Sequence, residues 1–357
     1  METSSFDFLK RLLSTPGPSG FETAAARVWR EEAQRFADSV DVDVSGNSIA
    51  VLNGDGGPRV MLAGHIDEIG VMITHIDDEG YLYFDGIGGW DSQVLVGQRI
   101  RILTRSGDVV GVVGKKPIHL MKGDEKDKVS KLSDLWIDVG ARKSDEVKEK
   151  GVRVGDPGVV DVPTIDFGNG LIASRSIDNR IGAFVVLEAL RLLSEGPASA
   201  YVAAVATTQE EIGFYTGGGA STSAFRIEPD VALVVDVTFS TDAPGVDKKE
   251  VGDHKLGGGP VLTRGSASHP LVFERLASIA DRESIPFTIS AAPKWTSTDA
   301  DSIFLSRSGV ATAVLSVPNR YMHSPSEMVD TKDLESTARL IAAFCRDLTE
   351  GEDFVHR

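Results

Sequence analysis

The chain has 357 residues, 41% of them hydrophobic and 25% charged, a composition typical of a folded protein and a length beyond what one hydrophobic core usually organises, so two domains are expected. Lys and Arg number 37 against 53 Asp and Glu, a formal charge of −16, which argues against nucleic acid or an anionic membrane as partner because both need a basic face. Cys345 is the only cysteine, no apolar run nears 18 residues and "METSSFDFLKRLL" lacks a signal-peptide pattern, so the expectation is a cytoplasmic chain with no intrachain disulfide and no membrane span.

Two amphipathic helices open the chain, "SSFDFLKRLLS" and "FETAAARVWREEAQRFA", separated by the breaker "TPGPSG". Three β-type runs follow, "VDVDV", "SIAVL" and "RVMLAG", the last running into "HIDEIG". Between residues 71 and 167 the texture changes to short alternating strands, "GVMITHI", "YLYFDGI", "QRIRILT", "DVVGVVG" and "LWIDVG", with Gly- and Asp-containing turns. This predicts a small β-rich domain. Helix and strand then alternate: "DNRIGAFVVLEALRLL", "AYVAAVAT", "VALVVDV", "HPLVFERLASIADRES", "PFTIS", "DADSIFLSR", "ATAVLSV" and "TKDLESTARLIAAFCRDLTE". Continuous apolar strands between helices indicate a sheet covered on both faces. The expected organisation is an α/β domain of residues 1–70 and 168–357, interrupted by a β-rich insert of residues 71–167.

Acids and histidines gather where these apolar strands stop. "VMLAGHIDEIG" supplies His65, Asp67 and Glu68; "SIDNRIGAF" supplies Asp178; "TTQEEIGF" supplies Glu210 and Glu211; "ALVVDVT" supplies Asp236; "RYMHSPSEM" supplies His323. Ligands of open α/β sheets bind beyond the carboxyl ends of the strands. Imidazoles and carboxylates are ligands for a divalent ion such as zinc, and one aspartate can bridge two ions. His65, His323, Asp178, Asp236 and one of the two glutamates make five ligands for a double site. The other glutamate is then free to take a proton from a water bridging the ions. Adjacent strand residues point to opposite faces, so the backbone must turn if both glutamates serve one site. Their mutual repulsion also demands a neighbouring positive charge or a proton. Taken singly, each residue has a plainer reading, Asp178 as a helix N-cap above all.

The motifs "AGHIDEIG", "SIDNRIGA", "TTQEEIG", "VVDVTFSTDAPG" and "NRYMHSPSEM", in this order from "TPGPSGFE" to "HSPSEMVD", resemble those of the TET and glutamyl-aminopeptidase family of dinuclear-metal aminopeptidases. The resemblance implies a three-layer α/β/α metallopeptidase domain with an inserted, barrel-like β-rich dimerisation domain. It implies that His65 and Asp236 ligate one ion, Glu211 and His323 the other, and that Asp178 bridges them. It makes Asp67 the partner that orients His65 and Glu210 the general base. Two divalent ions are implied, zinc or cobalt, with manganese possible. Peptides with a free N-terminus are the implied substrates; the amine would bind a metal or an acidic neighbour, for which Glu68 and Asp299 are the candidates. Assembly of dimers into a dodecamer follows from the same resemblance.

Two stretches depart from the family pattern near the expected pocket: "GFYTGGGAS", and "KWTSTDADS" with Trp295 and Thr296 where small residues are usual. Three rival readings remain. An N-acyl amino acid deacylase would use the same site without needing a free amine. A glycosidase would use Glu210 and Glu211, but adjacent residues are poorly placed for carboxyls flanking a sugar. A silent assembly scaffold would leave the ligand set without a purpose.

Overall fold

The structure, a computed structural model, describes residues 1–196, 198–213 and 217–355. Strands β1 (Ser39–Val42), β2 (Ser48–Leu52) and β3 (Arg59–His65) come first. Next are β4 (Gly70–Ile76), β5 (Tyr81–Ile87), β6 (Arg99–Thr104), β7 (Gly107–Gly114), β8 (Trp136–Asp138) and β9 (Pro157–Val160). The remainder are β10 (Ile165–Asp166), β11 (Leu171–Ser174), β12 (Tyr201–Thr207), β13 (Val231–Phe239), β14 (Val261–Gly265), β15 (Thr288–Ala292), β16 (Ala311–Asn319) and β17 (Glu327–Asp330).

Eight strands form the main sheet in the order β1-β2-β12-β3-β13-β16-β14-β15. Its centre, β12 to β16, is parallel, while β2 and β14 join it antiparallel. Side chains alternate along each strand, and β3 shows the result. Val60 and Leu62 pack into a cluster with Leu12, Trp29, Phe184 and Phe344, and Met61 and Ala63 pack into a second with Ala220, Ile227 and Ile303. Helices therefore cover both faces, and the main domain is a three-layer α/β/α sandwich. The second group of strands closes into a barrel, β4-β5-β8-β7-β6-β9, around Ile73, Leu82, Phe84, Ile100 and Ile137. Closure leaves no strand edge exposed.

Three helices differ from the sequence expectation. The helix expected from Asp178 spans Ile177–Ser194, but Asp178 and Asn179 are not helical in φ and ψ. "DADSIFLSR" is helical only over Ala300–Ile303, and Arg307 takes a left-handed conformation in the turns that lead to β16. A helix at Gly218–Ile227 was not anticipated; its Gly, Ser and Thr content carries little apolar periodicity.

Candidate metal centre and active site

Each acid or imidazole reaches the site through a specific backbone device. His65 is the last residue of β3, and β12 lies alongside with Thr207 opposite it. At Gly64 a Cβ would collide with the backbone of Gly182 at 2.4 Å, so only glycine lets the helix Ile177–Ser194 approach β3 here. That approach brings the start of the helix to His65. Asn179, rather than Asp178, caps this helix: its Oδ1 accepts the Gly182 N–H at 3.0 Å, and its Nδ2 donates to the Val235 carbonyl at 2.8 Å. The capping duty taken by Asn179 leaves the Asp178 carboxylate free for the site.

The glutamate pair answers the alternation problem with a turn. Gln209, two residues past the strand, has φ +60°, a left-handed conformation that non-glycine residues adopt only when surroundings impose it. The Asp67 carboxylate imposes it from one side, accepting the Glu210 N–H at 3.2 Å and the Glu211 N–H at 3.1 Å. Glu22 Oε1 accepts the Gln209 N–H at 3.2 Å from the other. Asp67 is wholly buried. Sequence reasoning assigned Asp67 to His65 alone and gave Glu22 no part.

The side chains then converge. Asp178 Oδ1 lies 3.3 Å from His65 Nε2, and Asp178 Oδ2 lies 3.4 Å from His323 Nε2. Glu211 is also 3.4 Å from His323 Nε2. Glu210 and Asp236 lie 3.7 and 3.9 Å from His65 Nε2. The Nδ1 atoms of both imidazoles face outward from the site. His65 Nδ1 meets the Asp67 carbonyl at 3.2 Å and its carboxylate at 3.4 Å, and His323 Nδ1 meets the Gly89 carbonyl at 2.8 Å. Such acceptors hold the proton on Nδ1 and turn Nε2 inward as a ligand.

Gly89 follows β5, so the barrel strands take part in the site. Gly88 beside it has φ +75°, and a Cβ there would meet Ile69 at 2.7 Å and Glu211 Oε2 at 3.2 Å. A side chain there would clash with Ile69 and crowd the Glu211 carboxylate. This contact was invisible in sequence, where "DGIGGW" reads as an ordinary turn.

Asp299 is buried nearby, held by the Thr207 hydroxyl at 2.5 Å. Glu68 is elsewhere engaged. Its two oxygens pair with Arg175 and, at 3.0 Å, Arg180, and it accepts the Gly17 N–H at 3.0 Å. The Glu68 charge is thus already matched by two buried guanidiniums, which weighs against it as the group that receives a substrate amine. Of the two departing stretches, Phe214, Tyr215 and Thr216 lie outside the described residues. Trp295 is exposed, and Thr296 bonds to Asp301 through its N–H and hydroxyl.

The acids and imidazoles of the cluster shift one another's charge. Burial, then Asp236, Asp299 and Glu211, push the Glu210 carboxyl well above its ordinary range against the pull of His65. Burial likewise raises Asp236, with Asp178 adding to it, and raises Asp299 to about 6. Asp178 is driven the other way: burial opposes its ionisation, but hydrogen bonds from His323 and His65 outweigh it. His323 is raised to about 11 by Asp178 and Glu211. His65 also rises despite burial, through Asp67 and Glu210. The site thus gathers cationic imidazolium to neutralise its acids. Glu211 Oε1 is buried without a hydrogen-bond partner, the mark of a group waiting for a ligand. Among the described residues two clusters have the geometry to hold a metal ion: His65, Asp178 and Glu211, and His65, Glu210 and Asp236. The donor set fits divalent metals.

A covered α/β sheet with acids and imidazoles converging at its strand ends defines the class: an α/β protein with a candidate metal site at the carboxyl edge of its sheet. Residues 46–340 match the model of the M42 glutamyl aminopeptidases, and the chain belongs to that family. It is an aminopeptidase, a hydrolase acting on peptides. It is 37% identical over 346 residues to a lysyl aminopeptidase of Pyrococcus furiosus, covering 96% of this chain and 97% of that one. A TET aminopeptidase from a marine-sediment thaumarchaeote superposes with TM-score 0.92 at 36% identity, covering 97% of each chain. The TET1 peptidase of Pyrococcus horikoshii, which can assemble into a tetrahedron or a large octahedral shell, matches with TM-score 0.83 at 32% identity, over 96% of this chain and all of that one. Among the described residues no helix is long and apolar enough to cross a membrane.

Proposed function

We propose that this protein removes the N-terminal residue of peptides at a site holding two divalent metal ions, zinc or cobalt or alternatively manganese, with Glu210 as general base. The observation that carries the reading is Asp178, whose two oxygens face two different imidazoles at 3.3 and 3.4 Å. That is the arrangement of a carboxylate shared between two ions. On one side His65 and Asp236 would hold a metal, and on the other Glu211 and His323. Bound there, divalent ions supply Lewis acidity to the scissile carbonyl and make a water acidic enough to deprotonate near neutrality.

The chain's own groups do the rest. Glu210 is desolvated and surrounded by acids, so its carboxylate is a stronger base than one in water. It takes the proton of the attacking water and returns it to the leaving amine. Asp67 fixes the His65 tautomer and the glutamate turn together. Asp299 is the carboxylate left to receive the substrate's free ammonium. Residues 71–167 form the separate domain, whose barrel we assign to assembly into homo-oligomers, dimers building to a dodecamer, by likeness to the assembling TET1 peptidase. We place the protein in the cytoplasm.

Aminoacyl anilides, each beside its N-acetylated twin, test the reading. Metal-dependent cleavage of the free-amine series alone is expected, silenced by chelation and restored by zinc or cobalt. Asp299→Asn should raise KM for these substrates more than it lowers kcat. Cleavage of the acetylated twins would make the enzyme a deacylase.

Metal loading should also depend on pH in a fixed direction. Asp178 and Glu211 raise the His323 pKa to about 11, and an imidazole must be neutral to ligate. Binding therefore releases protons, and affinity should strengthen as pH rises and weaken as it falls. Zinc titration calorimetry in buffers of different ionisation enthalpy should register net proton release. Buffer-independent heats would contradict the assignment of His323.

A further inference from the structure

Glu327 is buried at the start of β17, and neither of the two metal-holding clusters includes it. Its oxygens are divided between two backbone amides. Oε1 accepts the His323 N–H at 3.0 Å, and Oε2 accepts the Asp178 N–H at 3.1 Å. Both donors belong to residues with special backbone. His323 has φ +58°, and Asp178 has ψ 108° at the irregular start of its helix. Neither amide has a place in a helix or strand ladder, so each depends on a side-chain acceptor.

The small sheet explains how one side chain reaches both. Strands β10, β11 and β17 pair in that order, with Glu327 opposite Ser174. Ser174 ends the strand that leads to Asp178, and Glu327 lies four residues beyond His323. The Asp178 and His323 side chains meet each other at 3.4 Å, and Glu327 joins their backbones. A closed ring results: carboxylate to imidazole on the site's side, amide to carboxylate to amide on the other.

We propose that Glu327 is a positioning residue, locking the aspartate shared between the metals and the histidine of the second metal into one preorganised unit. The inference rests on the metal assignment proposed above. Both Glu327 oxygens are occupied by amides, so it acts through its neighbours and not as a ligand. Its counterpart is Asp67, which holds the amides of Glu210 and Glu211 in the same way. Two buried carboxylates thus hold the backbones of four residues of the site.

The test is zinc binding to the full-length metal-free protein, measured by competition with a chromophoric chelator for wild type, Glu327→Gln and Glu327→Ala. The isosteric Gln keeps one acceptor but turns an NH2 toward the second amide; Ala keeps none. The weaker zinc constant should fall about 10-fold in E327Q and by up to about 100-fold in E327A, the usual range for partners behind a ligand. Raising the zinc concentration should recover kcat/KM in E327Q. If E327A does not fold, E327Q carries the test. Wild-type zinc constants in folded variants would overturn the inference, as would a lowered unfolding midpoint with unchanged affinity, which would show a purely structural role. Wild type that itself binds no zinc would overturn the metal assignment, a result distinct from either.

Discussion

Glu210→Gln is expected to lower kcat by about 10²–10⁴-fold, the range for loss of a positioned general base, while the protein still binds two zinc ions. Gln is isosteric and leaves the bond from the backbone N–H of residue 210 to Asp67 intact, so the turn should survive, but its side chain cannot accept a proton. The neighbouring substitution should behave differently. Glu211 faces His323 at 3.4 Å, and Glu211→Gln should lose zinc as well as activity, most at the site formed with His323. The pair of variants is decisive because the distances alone leave an alternative open. Glu210 lies within reach of His65 and Asp236 as a third ligand. We assign the base to Glu210 because Glu211 is already engaged by His323 and borders Asp178. If E210Q loses one zinc and E211Q keeps both, the two roles are exchanged.

Glu68→Ala should destabilise the protein by about 3–5 kcal/mol, the cost of stripping a partner from a buried ion pair. Two guanidiniums lose their counter-ion at once. Arg175 and Arg180 are both buried, and burial has already pulled the Arg180 pKa down to about 10. Arg180 would retain its bonds to the carbonyls of Ile66, Leu12 and Thr15, but no negative charge. Urea unfolding at fixed metal load measures the loss. Where the variant is folded, KM for aminoacyl anilides should match wild type. Wild-type stability with a raised KM would instead restore Glu68 as the group that receives the substrate's amine.

The same residue shows where sequence reasoning stops. "HIDEIG" places Glu68 three residues from a metal-ligand candidate, and that proximity along the chain suggested a part in the chemistry. Its partners, Arg175 and Arg180, lie over a hundred residues away in sequence. Asp178 gives the opposite lesson. Its position before a helix suggested an N-cap, but Asn179 takes that duty, a choice made by the backbone angles of two residues. Glu327 stood within the motif "HSPSEM" with nothing to single it out, because its role depends on β17 pairing with β11.

Periodicity and residue type are local, and by themselves they determined the covered α/β sheet, the run of short strands from 71 onward that closes into a barrel, and the collection of acids and imidazoles at strand ends. Each needs only the spacing of apolar residues and the rule that parallel strands deliver their ends to one edge. The tertiary structure decided which carboxylates are free and which are spent. It joined the Gly88–Gly89 turn to His323 and Glu211, and it set Asp67, Glu22 and Glu327 behind the turns they hold. A buried charge or amide takes whichever partner the packed chain brings within about 3 Å, and in a chain of this length that partner usually lies far away in sequence.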